Sequence, residues 1–293
     1  MEITPNNAGL GARVEGIDLA QPLGDAARRD VLRALGHYGV LCFPNQDLDA
    51  PAVSTFGSRF GDLEVNVANM FHAPGHPEVM ILSNERDAAG KPVGLSDAGQ
   101  GWHTDMSYSH DIALANVLHA KRVPRRDGRV LGATQFRNQH AAYDTLPEEV
   151  RQRLEGRFAV HDFEKFWDVM RARPGSIRKA LTEAQKAAKP PVRQPIFRVH
   201  PVTGRRVLYC NPGYAMHIEG LERAESDALL GFLFRHQSEA RFLYSHLWSE
   251  GDVLMWDNIG TTHNAVADYA EDEPRFILRV QVMASLDYAA LAA

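Results

Sequence analysis

Trp102-His103-Thr104-Asp105 and, far downstream, Trp256-Asp257-Asn258-Ile259-Gly260-Thr261-Thr262-His263-Asn264 carry the residues that decide how this chain must fold. In an extended segment, residues i and i+2 turn to the same side and the residue between them turns away. His103 and Asp105 can therefore meet a single ion while Thr104 faces elsewhere, and the third ligand has to come from another strand. His263 is the candidate. Two imidazoles and one carboxylate assembled in this way form the facial triad that holds non-heme Fe(II) and leaves coordination positions open.

A lone His-x-Asp is weak evidence in a chain with thirteen histidines. Its nearest rival, His217-Ile218-Glu219, follows the turn formers Asn211-Pro212-Gly213 just before a helical stretch and reads as structural. What raises His103 and Asp105 above it is the segment after His263, Pro274-Arg275-Phe276-Ile277-Leu278-Arg279-Val280-Gln281-Val282. Its β-branched and aromatic content predicts a strand with residues 275, 277 and 279 on one face. On a solvent face Arg275 and Arg279 would be ordinary surface charges. Turned into a barrel they would need anionic partners, because a buried unpaired charge costs several kcal/mol. A dicarboxylate and an acidic small-molecule substrate would supply them.

The 293 residues are 44% hydrophobic, enough to bury a large core, and without a break in composition they read as a single domain, residues 1–293. A net charge of −5 gives no general electrostatic reason to bind nucleic acid or an anionic membrane. The basic run Lys121-Arg122-Val123-Pro124-Arg125-Arg126-Asp127-Gly128-Arg129 reads as an exposed, turn-rich loop. The two cysteines, Cys42 and Cys210, sit in apolar runs and read as buried strand residues, which suits a reducing compartment. The first residues lack a signal-peptide pattern and no run reaches membrane-spanning length, so a cytoplasmic protein is expected.

Val31, Leu32, Leu35 and Tyr38 recur at helical spacing and predict an amphipathic helix over 25–38, ended by Gly39. Further helices are expected at 52–60, at 145–154 behind a Thr145-Leu146-Pro147-Glu148 capping box, and at 222–236. Strands are expected at 40–43, 79–82, 115–120, 133–138, 196–199, 207–209, 242–248, 253–256 and 276–283. Many short strands between Gly and Pro turns indicate a sandwich or barrel, mainly β with flanking helices outside it. Residues 66–78 with 85–101, and 163–195, are candidate lids, the second equally readable as a surface helix pair.

The chain resembles the taurine dioxygenase (TauD/TfdA) family of Fe(II)- and 2-oxoglutarate-dependent oxygenases. The resemblance runs from Gly9-Leu10-Gly11-Ala12-Arg13-Val14-Glu15-Gly16-Ile17-Asp18-Leu19 to the Arg279 segment. It passes through Phe60-Gly61-Asp62-Leu63, Gly132-Ala133-Thr134-Gln135-Phe136, His200-Pro201-Val202-Thr203-Gly204-Arg205, Leu208-Tyr209-Cys210-Asn211-Pro212-Gly213 and Gly251-Asp252-Val253-Leu254-Met255-Trp256-Asp257-Asn258. It implies a double-stranded β-helix, a distorted, cupin-like jelly roll. It also implies that His103, Asp105 and His263 bind iron, that Thr134 and Arg275 hold the distal carboxylate of 2-oxoglutarate, and that Arg279 lies nearer the substrate. The family often forms dimers or tetramers. Three departures stand out: Ala133 replaces an acidic residue, the interval from His263 to Arg275 is one residue longer than in taurine dioxygenase, and the two polar residues that bind taurine fall on Asn66 and Gly99. Taurine is therefore not the expected substrate.

The resemblance implies chelation of Fe(II) by the keto acid, O2 at the remaining position, and decarboxylation to succinate and CO2 coupled to oxidation of a C–H bond. Because Asp105 fills the position that halogenases of this type leave for chloride, hydroxylation, or cleavage following it, is expected. The alternatives are a catalytically silent jelly-roll protein that binds a metal and a small acid, and a hydrolase or isomerase using another divalent metal. Trp102 and Trp256 are expected to pack beside the ligands. Asp257 and Asn258 could orient His263 or cap its turn. Asn84 and Tyr108 are candidate pocket residues, and His110, His119, His140, His161, His200 and His246 read as structural.

Overall fold

The strand Ala113–Arg122 has eight consecutive buried residues, so neither of its faces meets water along most of its length. It lies antiparallel between Val253–Asp257 and Phe276–Met283. In this computed structural model, which describes residues 1–6, 9–65, 71–173, 176 and 178–293, the three are the centre of an eight-stranded sheet. Outward from Val253–Asp257 come Val40–Phe43, Ala12–Glu15 and Glu2–Pro5; outward from Phe276–Met283 come His76–Ser83 and His72–Ala73. All neighbours are antiparallel except Ala12–Glu15 with Val40–Phe43. A second antiparallel sheet places Thr134–Asn138 between Leu243–His246 and Thr261–Ala265.

Period-two alternation divides the large sheet's side chains between two cores. Leu41, Phe43, Val117, Val253, Met255, Leu278 and Val280 pack with Val31, Leu32 and Leu35 of the helix Asp25–Tyr38 and with Val53 and Phe56 of the helix Ala50–Ser58. Val40, Cys42, Leu118, Ala120, Leu254, Trp256 and Ile277 pack on the other side with Phe136 of the smaller sheet and with Trp248. Arg275, Ile277, Arg279 and Gln281 share the alternation that faces this second core. Helix contact with the first core is close: a Cβ on Gly57 would lie 2.7 Å from Val280 Cγ2. A third cluster joins the helix Arg223–His236 to Phe158–His161, Ala215–Ile218 and Phe197–Val199.

The architecture is thus mixed helix and sheet, built on one large sheet with flanking helices. The strands read from apolar runs occur within a few residues of their expected positions. Edge strands such as Glu2–Pro5 and Val192–Pro195 carry too few apolar residues to have been visible. Helix ends follow capping chemistry. Gly39, at φ 71°, terminates the first helix and donates its N–H to the Leu35 carbonyl at 2.8 Å. Asp49 caps the second helix by accepting the Ala52 N–H, which starts it two residues earlier than its apolar pattern.

The Thr145 capping box is overturned. Thr145 ends a preceding helix, Gln139–Asp144, and its hydroxyl donates to the Ala141 carbonyl; the next helix, Glu148–Leu154, begins after Pro147 without a side-chain cap. The Gln139–Asp144 helix is capped by Asn138, which accepts the Ala141 N–H at 3.0 Å. Cys42 and Cys210 are both buried and free, Cys210 lying just beyond the strand Arg206–Leu208. The basic run after Lys121 forms a small exposed hairpin in which Arg126 pairs with Glu273. Among the described residues no helix is long and apolar enough to cross a membrane. Asn138→Ala should destabilise the protein by about 0.5–2 kcal/mol in denaturant unfolding, and an unchanged midpoint would remove the cap from Asn138.

Candidate active site

An isolated β-bridge joins the segments that carry His103 and His263. The His103 N–H donates to the His263 carbonyl at 3.1 Å, and the His263 N–H returns to the His103 carbonyl at 2.9 Å. The chain turns straight after the bridge, with Met106 at φ 58°, so His103 and Asp105 converge from a bridge and a turn, where a continuous strand had been expected. Thr104 faces away as the spacing required, its hydroxyl on the Thr261 carbonyl at 3.0 Å.

The imidazole centroids of His103 and His263 are 4.3 Å apart. His103 Nε2 lies 3.4 Å from Asp105 Oδ1, and His263 Nε2 lies 3.5 Å from Asp105 Oδ2. Ligand atoms on bonds of about 2.1 Å at right angles are roughly 3 Å apart, so this donor set fits one ion after a small contraction. His103 Nδ1 donates to the Gly101 carbonyl at 2.6 Å, which leaves the Nε2 lone pair for a metal. Burial, with His103 beside it, holds His263 well below the ordinary imidazole range, so its ring is neutral. Burial by itself would raise Asp105; the Arg279 guanidinium and the two imidazoles instead hold its carboxyl far below the usual range.

Asn258 grips the backbone of Asp105, donating Nδ2–H to its carbonyl at 2.8 Å and accepting its N–H on Oδ1 at 3.2 Å. Asp257 accepts the Ile259 N–H and closes the turn. Of the two readings for this pair, capping the turn holds for Asp257, and Asn258 serves Asp105 and not the His263 ring. That ring rests 4.8 Å from Trp256, centroid to centroid. Trp102 packs under the Arg137 guanidinium at 3.6 Å.

Arg279 donates Nη2–H to Asp105 Oδ2 at 2.8 Å, and Nε and Nη2 both reach Asn116 Oδ1, which also accepts from Gln281 Nε2. Arg275, on the same alternation, is only 6% exposed. It touches the Tyr269 ring, and no carboxylate lies within ion-pair distance of it among the described residues. Tyr269 lies against Gly132, two residues from Thr134. The buried Thr134 hydroxyl accepts from Trp248 Nε1 at 3.0 Å. Gly99 adjoins the His263 strand, its carbonyl accepting the Ala265 N–H at 2.9 Å. Asn66 lies outside the described residues. Asn84 anchors the loop before Arg275 through the Ala270 and Glu273 carbonyls and the Arg275 N–H.

Aromatic rings wall the centre. Phe166 of the helix Phe163–Arg171 lies 4.7 Å from the His103 ring, and Tyr214 packs on both Phe166 and Tyr108. A Cβ on Gly213 would come 2.7 Å from His103 Cβ, so the Asn211-Pro212-Gly213 turn lies directly against His103. The two stretches expected as lids meet: Arg178 grips Asp97 with two hydrogen bonds of 2.9 Å, and Arg173 reaches Gln100 at 2.6 Å. Asn116, Phe166 and Tyr214 escaped the sequence reading, and Asn258 was read toward the wrong partner, because each acts across elements far apart in the chain. His217 lies in the edge strand Ala215–Ile218, and Glu219 pairs with Arg193, so that rival motif is structural.

Two imidazoles and a carboxylate gathered at one point, together with a buried guanidinium that has no carboxylate partner among the described residues, fit a non-heme iron oxygenase that takes an anionic cosubstrate. The sequence profile described as taurine catabolism dioxygenase TauD, TfdA family matches residues 2–281, and the chain belongs to that family. It is similar to the alpha-ketoglutarate-dependent 2,4-dichlorophenoxyacetate dioxygenase of Cupriavidus pinatubonensis, 34% identical over 87% of this chain and 88% of the relative. It is also similar to the pentalenolactone F synthase of Streptomyces avermitilis, 32% identical over 90% of this chain and 88% of the relative. The crystal structure of a taurine dioxygenase from Burkholderia xenovorans superposes with a TM-score of 0.76 at 29% identity, covering 96% of this chain and 90% of that one. The protein is a 2-oxoglutarate-dependent dioxygenase and uses Fe(II), 2-oxoglutarate and O2.

His103→Ala or His263→Ala should abolish stoichiometric Fe(II) binding measured by anaerobic titration, and His217→Ala should leave it unchanged. Loss of metal in His217→Ala with retention in His103→Ala would refute the assignment.

Proposed function

We propose that His103, Asp105 and His263 hold the iron, that Arg275 and Thr134 hold the distal carboxylate of 2-oxoglutarate, and that the enzyme hydroxylates a small organic anion drawn by Arg279, with cleavage following where the product is unstable. The observation that carries this reading is Arg275. A guanidinium 6% exposed and without a carboxylate partner among the described residues is costly unless a ligand completes it. A carboxylate can do so through two parallel, charge-assisted hydrogen bonds.

Bound Fe(II) supplies the centre at which O2 is reduced while 2-oxoglutarate is converted to succinate and CO2. The protein's part is to place and shield. Asn258 and Arg279 fix Asp105 from two sides, and Gly101 sets the tautomer of His103. Phe166, Tyr108 and Tyr214 exclude water and offer an apolar face. Asp105 occupies the carboxylate position, which supports hydroxylation over halogenation.

The relative from Cupriavidus is named for a substrate with a carboxylate on an aromatic body, and an aromatic wall beside the Arg279 cation supports a substrate of that general kind. At Gly99 an added Cβ would meet, among the described residues, only Ala265, at 3.6 Å; that open corner supports a pocket roomier than taurine needs. The two sheets with their facing core support a double-stranded β-helix spanning a single domain of residues 1–293, and two unpaired cysteines support a cytoplasmic location.

A screen of small organic acids for stimulated succinate formation, with Fe(II) and 2-oxoglutarate present, tests the substrate class; bulky carboxylates should outperform taurine, and efficient taurine turnover would reverse that choice. Losing a buried charged hydrogen-bond partner typically costs roughly 2–5 kcal/mol. Arg275→Ala should therefore raise the 2-oxoglutarate requirement about 30- to 5,000-fold, Thr134→Ala much less. An unchanged requirement in Arg275→Ala would remove this role.

A further inference from the structure

Outside the triad, His140, His200 and Asp257 form a second buried group whose donor atoms lie within 4.8 Å of one another. Hydrogen bonding shows that this is not a second ion site. His200 Nδ1 accepts the backbone N–H groups of Val202 and Thr203, both at 3.2 Å, so the ring proton is on Nε2. That Nε2 lies 3.0 Å from Asp257 Oδ2, a close pairing contact outside hydrogen-bond alignment. A protonated nitrogen can donate to a carboxylate but cannot coordinate a metal.

Asp257 is held by three hydrogen bonds. Its Oδ1 accepts the Ile259 N–H at 2.9 Å, its carbonyl accepts the Thr261 hydroxyl at 2.6 Å, and its N–H reaches the Gly39 carbonyl at 2.8 Å. A Cβ on Gly260 would fall 2.1 Å from Asp257 Oδ2, so residue 260 has no room for a side chain while that oxygen faces His200. On one side of this turn stands Asn258, fully buried, with its amide on Asp105. On the other begins Thr261–Ala265, which carries His263.

We propose that His200 and Asp257 are positioning residues for the metal centre: the pair fixes the 257–260 turn, and through Asn258 and the strand after Gly260 it sets the placement of Asp105 and His263. The proposal rests on the reading of His103, Asp105 and His263 as ligands. Neither residue touches the metal, so the effect is read as metal affinity.

The test is calorimetric titration of the metal-free protein with Mn(II) in the presence of 2-oxoglutarate, alongside thermal denaturation. Asp257→Asn turns an amide N–H or an uncharged oxygen toward His200, and His200→Phe removes the donor. Both should weaken Mn(II) binding about 10- to 100-fold, as changes to groups that orient ligands do. His200→Gln, whose amide can still donate to Asp257, should recover most of the affinity. The double variant His200→Phe with Asn258→Ala should lose less affinity than the sum of the two single losses, because part of the effect of His200 runs through Asn258. Affinity within about twofold of wild type in folded Asp257→Asn, or full additivity in the double variant, would overturn the proposal and leave the pair a purely structural element. If His200→Phe does not fold, Asp257→Asn decides by the same criterion. His103→Ala serves as the reference: if it binds Mn(II) normally, the ligand assignment itself has failed, an outcome distinct from failure of the positioning pair.

Discussion

A carboxylate placed among buried imidazoles is tolerated only when its charge is answered from several directions, and Asp105 is the point around which this molecule is arranged. Its side chain is 16% exposed and in contact with Arg279 at 2.8 Å. Asn258 holds its backbone, and Asn116 holds both Arg279 and Asn258. Buried polar groups of this kind are stable only as a connected network, because one missing partner leaves an unpaired group in a low-dielectric interior. The network also explains why four segments, carrying Asp105, Asn116, Asn258 and Arg279, must be present together.

The sheet makes that assembly possible by giving its two faces different tasks. Along Phe276–Met283, Leu278, Val280 and Val282 bury themselves against the helix layer, while Ile277, Arg279 and Gln281 face the second core, Asp105 and Asn116. A register slip of one residue would exchange these sets and bury the Arg279 charge and the Gln281 amide under the helices. The apolar side of the strand therefore protects the polar side, since the fit of Val280 against Gly57 holds the register that points Arg279 at Asp105.

Local chemistry was legible where it depended on neighbours in sequence. The Asp25–Tyr38 helix, its Gly39 terminus, the period-two strands and the matched facing of Arg275 and Arg279 all follow from spacing along the chain. Reading failed where a side chain had two possible local partners. Thr145 has the form of a helix start, yet it ends the helix before it, because its hydroxyl finds the Ala141 carbonyl first. Asn258 looked like a partner for His263, five residues away, and instead holds Asp105 from across the fold.

By itself the sequence determined which atoms could bind a metal and which strand faces they share, because side-chain direction in a strand or helix is set by the backbone within a few residues. It also determined the family, through ordered motifs along nearly the whole chain. Only the tertiary structure decided that Arg279 answers Asp105, that Arg275 is buried without an acidic partner among the described residues, and that His200 carries its proton toward Asp257. Those are properties of burial and of contacts between residues as much as 174 positions apart. Electrostatic partners act through space, and spacing along a chain carries no record of distances across its interior.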